Sequence, residues 1–247
     1  MDPRLSIIDE RLKGIKRIIA ISSGKGGVGK SLIASTLALL LVRKGFRVGL
    51  LDLDFTSPST HVILGVMNIY PKEDKGIIPA DVYGIRYMSI VAYSRDETLP
   101  LRGADLSNAL IELFAVTRWG DIDFLVIDMP PGISDATLDV LRLVKKIEFL
   151  IVTTSSVLAF ETVKKLAKLL VELKIPILGV IENMRLGEES AISRLTANLG
   201  LRFLGTIPFE VDIENALGNI DALLRTGFAK RLDEIISGCG LFKILKS

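Results

Sequence analysis

The sequence predicts an α/β fold: one domain with a mostly parallel central sheet covered by helices on both faces. Three observations carry this. Short, nearly continuous apolar runs rich in Ile, Leu and Val recur along the chain. Longer segments with helical spacing or all-round apolar character separate them, which is the pattern of strands buried on both faces. No linker, low-complexity stretch or internal repeat divides the 247 residues, so 1–247 is read as a single domain.

The elements follow in chain order. Residues 17–22 (RIIAIS) form the first strand, and 30–44 a helix with apolar residues all round, ended by Gly45. The second strand is 47–53 (RVGLLDL), and 85–91 is a third, with alternation. Between them, 71–79 is the most loop-like segment. Leu106, Leu110, Leu113 and Phe114 place one face on a helix over 105–117. Further strands are expected at 123–128 (DFLVID), 148–153, 177–181 and 202–205, for a sheet of about seven or eight. Helices near 135–144, 158–173 and 189–199 connect them, and two more follow at 211–217 and 222–236.

Composition excludes several classes. Hydrophobic residues make up 49% and the net charge is +2, which excludes a disordered chain. The single cysteine allows no internal disulfide and no zinc cluster of cysteine pairs. His61, the single histidine, allows no His-rich metal site. The near-zero charge does not mark a nucleic-acid binder. The longest apolar-rich run, 32–42, is interrupted by Ser35 and Thr36 and is far short of the ~20 residues of a membrane span. Residues 1–17 lack a signal-peptide core, so a cytoplasmic protein is expected. The absence of glutamine, with abundant Lys, Arg, Glu and Ile, fits a thermophile.

Residues 24–31 read GKGGVGKS, the pattern G-x-x-x-x-G-K-[ST], between a strand and a helix. Glycine lets backbone N–H groups turn inward around phosphate oxygens, and the helix N-terminus adds partial positive charge. Gly24, Gly26, Gly27, Val28 and Gly29 would thus cradle a nucleotide, with Leu32 in the first helical turn. Lys30 reaches the β- and γ-phosphates and Ser31 ligates Mg²⁺. The expected ligands are ATP and Mg²⁺. Asp128 ends an apolar strand before MPPG and takes the Walker B role of holding Mg²⁺, with Pro130, Pro131 and Gly132 shaping a γ-phosphate-sensing loop. Asp52 and Asp54 close the second strand and share a face, at the strand end where ligands of parallel sheets sit. The alternative is that one of them caps the segment that follows.

A second lysine, Lys25, directly after the first glycine makes SSGKGGVGKS resemble the deviant loop of the SIMIBI class of P-loop NTPases, the class of MinD, ParA and Mrp. The resemblance implies a homodimer around ATP, with Lys25 contacting phosphate across it. It also implies that Asp54 orients the attacking water and that Asp52 lies near Mg²⁺. Within that class, SSGKGGVGKS (22–31), LDLDFTSPST…LG (51–65), RGADLSNAL (102–110) and DFLVIDMPPGISDATL (123–138) resemble the Mrp/ApbC family of iron–sulfur cluster carrier ATPases. Stretches 153–184, ending in Glu-Asn-Met, and 203–213 (FLGTIPFEVDI) agree, giving a family-like core over 15–217 and a C-terminal helix and tail over 218–247. The resemblance implies slow hydrolysis of ATP to ADP and phosphate. It places Asn183 on the adenine, with Pro208 and Glu210 in a loop beside the base.

Carriers of this family have Cys-x-x-Cys shortly after Glu-Asn-Met, whereas here 185–195 reads RLGEESAISRL. A bridging 4Fe–4S cluster takes four thiolates, and a homodimer with Cys239 alone offers two. A heterodimer with a cysteine-bearing homologue would supply the rest. Two other functions compete on the same scaffold. One is a MinD/ParA-like positioning ATPase, since Leu241–Lys246 resembles a short basic membrane-targeting tail, against which stands a packed terminus. The other is a nucleotide-gated adaptor with little turnover. His61 and Trp119 read as packing residues, and Arg102 either as a loop residue near the dimer face or as an ordinary surface arginine.

Overall fold

A computed structural model describes residues 2–67, 69–89, 103–188 and 190–241. Arg102 and the tail beyond Leu241 lie outside the described residues. The elements in order are α1 (Arg4–Leu12), β1 (Ile15–Ser23), α2 (Lys30–Arg43), β2 (Val48–Asp52), α3 (Thr60–Leu64), β3 (Lys72–Glu73), β4 (Ile77–Ile78), β5 (Ala80–Val82), β6 (Ile85–Ser89) and α4 (Ala104–Val116). Then come β7 (Ile122–Asp128), α5 (Asp135–Leu143), β8 (Ile147–Thr153), α6 (Val157–Glu172), β9 (Ile177–Arg185), α7 (Ile192–Asn198), β10 (Phe203–Pro208), a 3₁₀ turn (Val211–Ala216), α8 (Ile220–Arg225) and α9 (Gly227–Gly238).

The main sheet has eight strands in the order β10-β9-β8-β1-β7-β2-β6-β5. Only the β5–β6 pair is antiparallel. Alternate strand residues feed two cores. Ile18 and Leu51 join Phe114, Trp119, Phe149 and Leu166 on one face. Ile19 and Leu50 join Leu37, Phe124 and Phe228 on the other. The α/β architecture expected from the sequence is therefore the one observed. The all-round apolar character of α2 also has its cause: the helix lies on β1, β2 and β7 and is covered from outside by α8 and α9.

Local chemistry explains where boundaries differ from expectation. The stretch taken as a loop holds the β3–β4 hairpin. Next to it, β5 and β6 are joined through Tyr83 (φ 54°) and Gly84 (φ 80°), a two-residue turn with both φ positive. Tyrosine is an uncommon residue in that position, so the sequence hides the turn. α1 buries Ile8 against the α4 side of the molecule and exposes most of its other residues, so its helical period is faint. The expected single helix over 222–236 is two, broken at Thr226, whose hydroxyl caps α9 through Ala229 N at 3.1 Å.

β1 lies between β7 and β8, so the chain crosses from one half of the sheet to the other at this point. The carboxyl ends of β1, β2 and β7 meet there in register, with Ile21 opposite Asp128 and Asp128 opposite Asp52. Open parallel sheets place their ligand crevice at this point.

Candidate active site

The segment between β1 and α2 follows the edge of a cleft of about 550 Å³ lined by Lys25, Gly26, Gly27, Gly29, Lys30 and Ser31. Two glycines are fixed by what surrounds them. A Cβ at Gly24 would lie 2.1 Å from Thr162 Oγ1, so α6 approaches the loop as closely as it does only because no side chain intervenes. Gly29 has φ 81°, and a Cβ there would lie 2.3 Å from Asn183 Nδ2.

Lys30 and Asp128 form the polar centre. Lys30 is buried, and its Nζ sits 2.5 Å from Asp128 Oδ1 and 3.3 Å from Ser31 Oγ. Asp128 has no solvent exposure, and its Oδ2 has no hydrogen-bond partner among the described residues. Burial raises its carboxyl to about 7 against the opposing pull of Lys30. An orphaned buried carboxylate oxygen beside a hydroxyl fits a hard divalent cation, so Asp128 and Ser31 are suited to hold Mg²⁺.

The two aspartates of β2 do different work. Asp52 Oδ1 accepts from Asp54 N at 3.0 Å, while its Oδ2 accepts from Thr60 N at 3.2 Å and Thr60 Oγ1 at 2.6 Å. Both oxygens are spent on the turn that leads into α3. Asp52 thus anchors this turn, the capping role that the sequence left open for one of the two aspartates. Burial raises its carboxyl, and burial together with the Asp52 charge pushes the Tyr87 phenol up. Asp54 instead lines the cleft. Its Oδ1 accepts from Thr56 Oγ1 at 2.8 Å, Thr56 N at 3.3 Å and Ser57 N at 3.0 Å. Its Oδ2 has no partner among the described residues and is available to a water. The residues after Asp54, Thr-Ser-Pro-Ser, signalled such a turn through their type.

The loop after β7 is tied to β1 through Met129 N on Ile21 O at 3.1 Å and Gly132 N on Ser23 O at 2.8 Å, and Pro131 reaches the cleft. Lys25 is exposed at the rim. One wall is apolar, built by Val62, Ile63, Met184, Ile213 and Leu217, a surface suited to a flat base.

The base-side expectations need correction. Asn183 lies behind the loop, 1% exposed, and donates Nδ2 to Val28 O at 2.9 Å, so its amide props the loop from below. Pro208 and Glu210 do not line the cleft. Glu210 accepts from Gly227 N at 3.2 Å and Phe228 N at 2.7 Å and so caps α9. Its place by the cleft is taken by Ile213, Glu214 and Leu217. These were missed because a turn of 3₁₀ geometry follows Glu210 and rotates later side chains inward.

At the opposite end of the sheet, Leu241 is buried and its carbonyl accepts from Arg17 Nη1 at 2.5 Å. Leu241 therefore belongs to the packed body, which corrects its place in a membrane-binding tail; 242–246 lie outside the described residues. Among the described residues no helix is long and apolar enough to cross a membrane. Cys239 is half-buried, with Sγ on Ile236 O at 3.1 Å, beside Arg202, which donates to the Cys239 carbonyl. His61 sits in α3, and Trp119 is fully buried in the core.

A model of the ParA family, described as NUBPL iron-transfer P-loop NTPase, matches residues 14–237. The chain belongs to this family. Among curated relatives, the iron-sulfur cluster carrier protein of Aquifex aeolicus is 36% identical over 220 residues, covering 83% of this chain and 60% of that protein. The protein of the same name from Pseudomonas fragi is 37% identical over 225 residues, covering 84% and 78%. This chain thus spans only part of the length of these relatives. A solved nucleotide-binding protein from Archaeoglobus fulgidus in complex with ADP has a TM-score of 0.76 at 30% identity, covering 90% of this chain and 93% of that one. The septum site-determining protein MinD of Pyrococcus horikoshii, complexed with Mg-ADP, has a TM-score of 0.69 at 21% identity over 93% and 97% of the two chains, a likeness of fold.

Proposed function

We propose that this chain is an ATP-hydrolysing switch that dimerises around ATP and serves iron–sulfur cluster assembly or transfer. The observation that carries the nucleotide reading is the buried Lys30–Asp128 pair with its orphaned oxygen, behind a glycine loop whose cleft Lys30 and Asp54 both line. The family and the names of the relatives support the cluster reading.

The residues divide the work as follows. The loop N–H groups hold the phosphates, and Lys30 exchanges its contact with Asp128 for the β- and γ-phosphate oxygens. Ser31 and Asp128 would hold Mg²⁺, which when bound would supply positive charge beside the triphosphate. Asp54 Oδ2 accepts a hydrogen bond from the attacking water. The water oxygen bonds to the γ-phosphorus as the bond to the bridging oxygen breaks, giving ADP and phosphate and releasing a proton to solvent. Lys25, exposed at the rim, reaches the partner's nucleotide in the dimer and stabilises charge there.

Cys239 lies at the strand-starting end of the sheet, away from the phosphate loop. A cluster under nucleotide control would therefore take its thiolates from a cysteine-bearing partner, and this chain supplies the switch. Anaerobic reconstitution with iron and sulfide, alone and mixed with such a partner, tests this. The expected result is a colourless chain alone and an iron–sulfur absorbance band on the mixed complex that depends on ATP. A colourless mixture with every partner tried would refute the cluster role and leave the ATPase role standing on turnover alone.

A further inference from the structure

The loop between β2 and α3 is closed at both ends by one carboxylate. β2 stops at Asp52, and the chain returns to the body of the molecule at Thr60, the first residue of α3. Asp52 Oδ1 takes the amide of Asp54 at 3.0 Å, and its Oδ2 takes the amide and the hydroxyl of Thr60 at 3.2 and 2.6 Å. Between these two anchor points lie Thr56, Ser57 and Ser59, which line the nucleotide cleft together with Asp54.

The clamp is itself held from the neighbouring strand. Thr60 Oγ1 lies 2.9 Å from the Tyr87 hydroxyl on β6. A threonine hydroxyl has one hydrogen, and here it goes to Asp52, so the Thr60 oxygen accepts from Tyr87. The bonds thus run in one direction, from Tyr87 to Thr60 to the carboxylate that also receives the Asp54 amide. Asp52, Thr60 and Tyr87 are all buried, so bulk water does not stand in for a missing member, and the low local dielectric strengthens each bond. At its other end the Asp54 side chain is tied by Oδ1 to Thr56 and Ser57 within the same loop. The tie from Asp54 back to the sheet is therefore its amide on Asp52, and Thr60 Oγ1 holds the opposite oxygen of that carboxylate. Small shifts at such a point matter, because a reacting group displaced by about 1 Å can lose on the order of a hundredfold in rate.

We propose that Thr60 and, through it, Tyr87 are positioning residues for ATP hydrolysis: their hydroxyls fix the Asp52 carboxylate, which sets where Asp54 presents its Oδ2 to water. The proposal rests on the reading of Asp54 as the water-orienting group. Steady-state ATP turnover of the full chain with Mg²⁺ tests it in Thr60→Val, Thr60→Ser, Tyr87→Phe and Asp54→Ala, with ATP affinity read by equilibrium dialysis. Thr60→Val keeps the shape of the side chain and lacks the hydroxyl. The expected result is a kcat lowered about tenfold, with KM and ATP affinity within about twofold of wild type, since the phosphate loop is untouched. Thr60→Ser keeps the hydroxyl and recovers most of that loss, and Tyr87→Phe, one bond further away, lowers kcat about threefold. An equal loss in Thr60→Ser and Thr60→Val overturns the proposal, because the methyl group and not the hydroxyl would then matter. So does a rise in KM in place of the fall in kcat. Wild-type kcat in Thr60→Val beside a slow Asp54→Ala overturns this proposal alone, whereas wild-type turnover in Asp54→Ala overturns the reading beneath it as well. Should Thr60→Val fail to fold and lose ATP binding, Tyr87→Phe decides, and an unchanged kcat there overturns the proposal.

Discussion

The carboxylate at the end of β7 and the carboxylate that follows β10 are both charged groups beside a strand end, yet their fates differ. Asp128 is fully buried, holds Lys30 with one oxygen and leaves the other with no partner among the described residues. Glu210 is half-buried, and each of its oxygens takes a backbone N–H from the first turn of α9. A strand end in the middle of a parallel sheet offers a carboxylate few backbone donors, because the neighbouring strands have used theirs in the ladder. A strand end at the sheet edge, followed by a helix start, offers several. Unspent valence at a buried charge therefore marks the ligand site, and proximity to the motif in sequence does not. Asp52 and Asp54 repeat the contrast two residues apart: both oxygens of the first accept hydrogen bonds from Thr60 and Asp54 N, whereas Oδ2 of the second has no partner among the described residues.

The largest expected effect tests the free oxygen of Asp54. Asp54→Ala should lower ATP turnover by on the order of a hundredfold or more while ATP affinity, read by equilibrium dialysis, stays near wild type. Turnover at the wild-type rate would place the water-orienting group elsewhere. Next, Lys30→Ala should weaken ATP binding by roughly tenfold to a hundredfold, since it removes a charged phosphate contact. Affinity within a factor of two of wild type would break the assignment of the loop.

A smaller effect is expected from pH. Burial lifts the Asp128 carboxyl from 3.8 to about 7, so the folded chain keeps this proton to higher pH than the unfolded chain does. Its contribution to stability is full below about pH 4 and is lost as pH rises through 7. Denaturant midpoints measured without nucleotide should fall over that window, and Asp128→Asn should flatten the slope. An equal slope in the variant would show that another group carries it. The smallest effect belongs to the other side of the comparison. Glu210→Ala should cost about 1 kcal/mol in unfolding free energy, as loss of a helix cap does, with ATP affinity unmoved. A loss of affinity without loss of stability would return Glu210 to the nucleotide site.

Much of the molecule was legible in its residues. The phosphate loop, the apolar strands and the α2 helix are local patterns whose chemistry leaves few alternatives, and Lys30, Ser31, Asp54 and Asp128 fall where their types and spacing put them. The N-terminal helix and the Tyr83–Gly84 turn escaped because one has a weak apolar face and the other an uncommon turn residue. The base-side residues escaped for a different reason. Asn183, Pro208 and Glu210 were placed by resemblance, and their orientation depends on how β9, β10 and α9 meet, which no short window of sequence records.

The sequence by itself determined that the chain is α/β, that it carries a phosphate-binding loop, and which acidic residues close its central strands. These follow from backbone preference and periodicity, which act over a few residues. Only the tertiary structure decided which carboxylate oxygens are hydrogen-bonded and which have no partner among the described residues, and that Asn183 supports the loop from behind. Those outcomes rest on hydrogen bonds between segments far apart in the chain, and only packing brings their partners within reach.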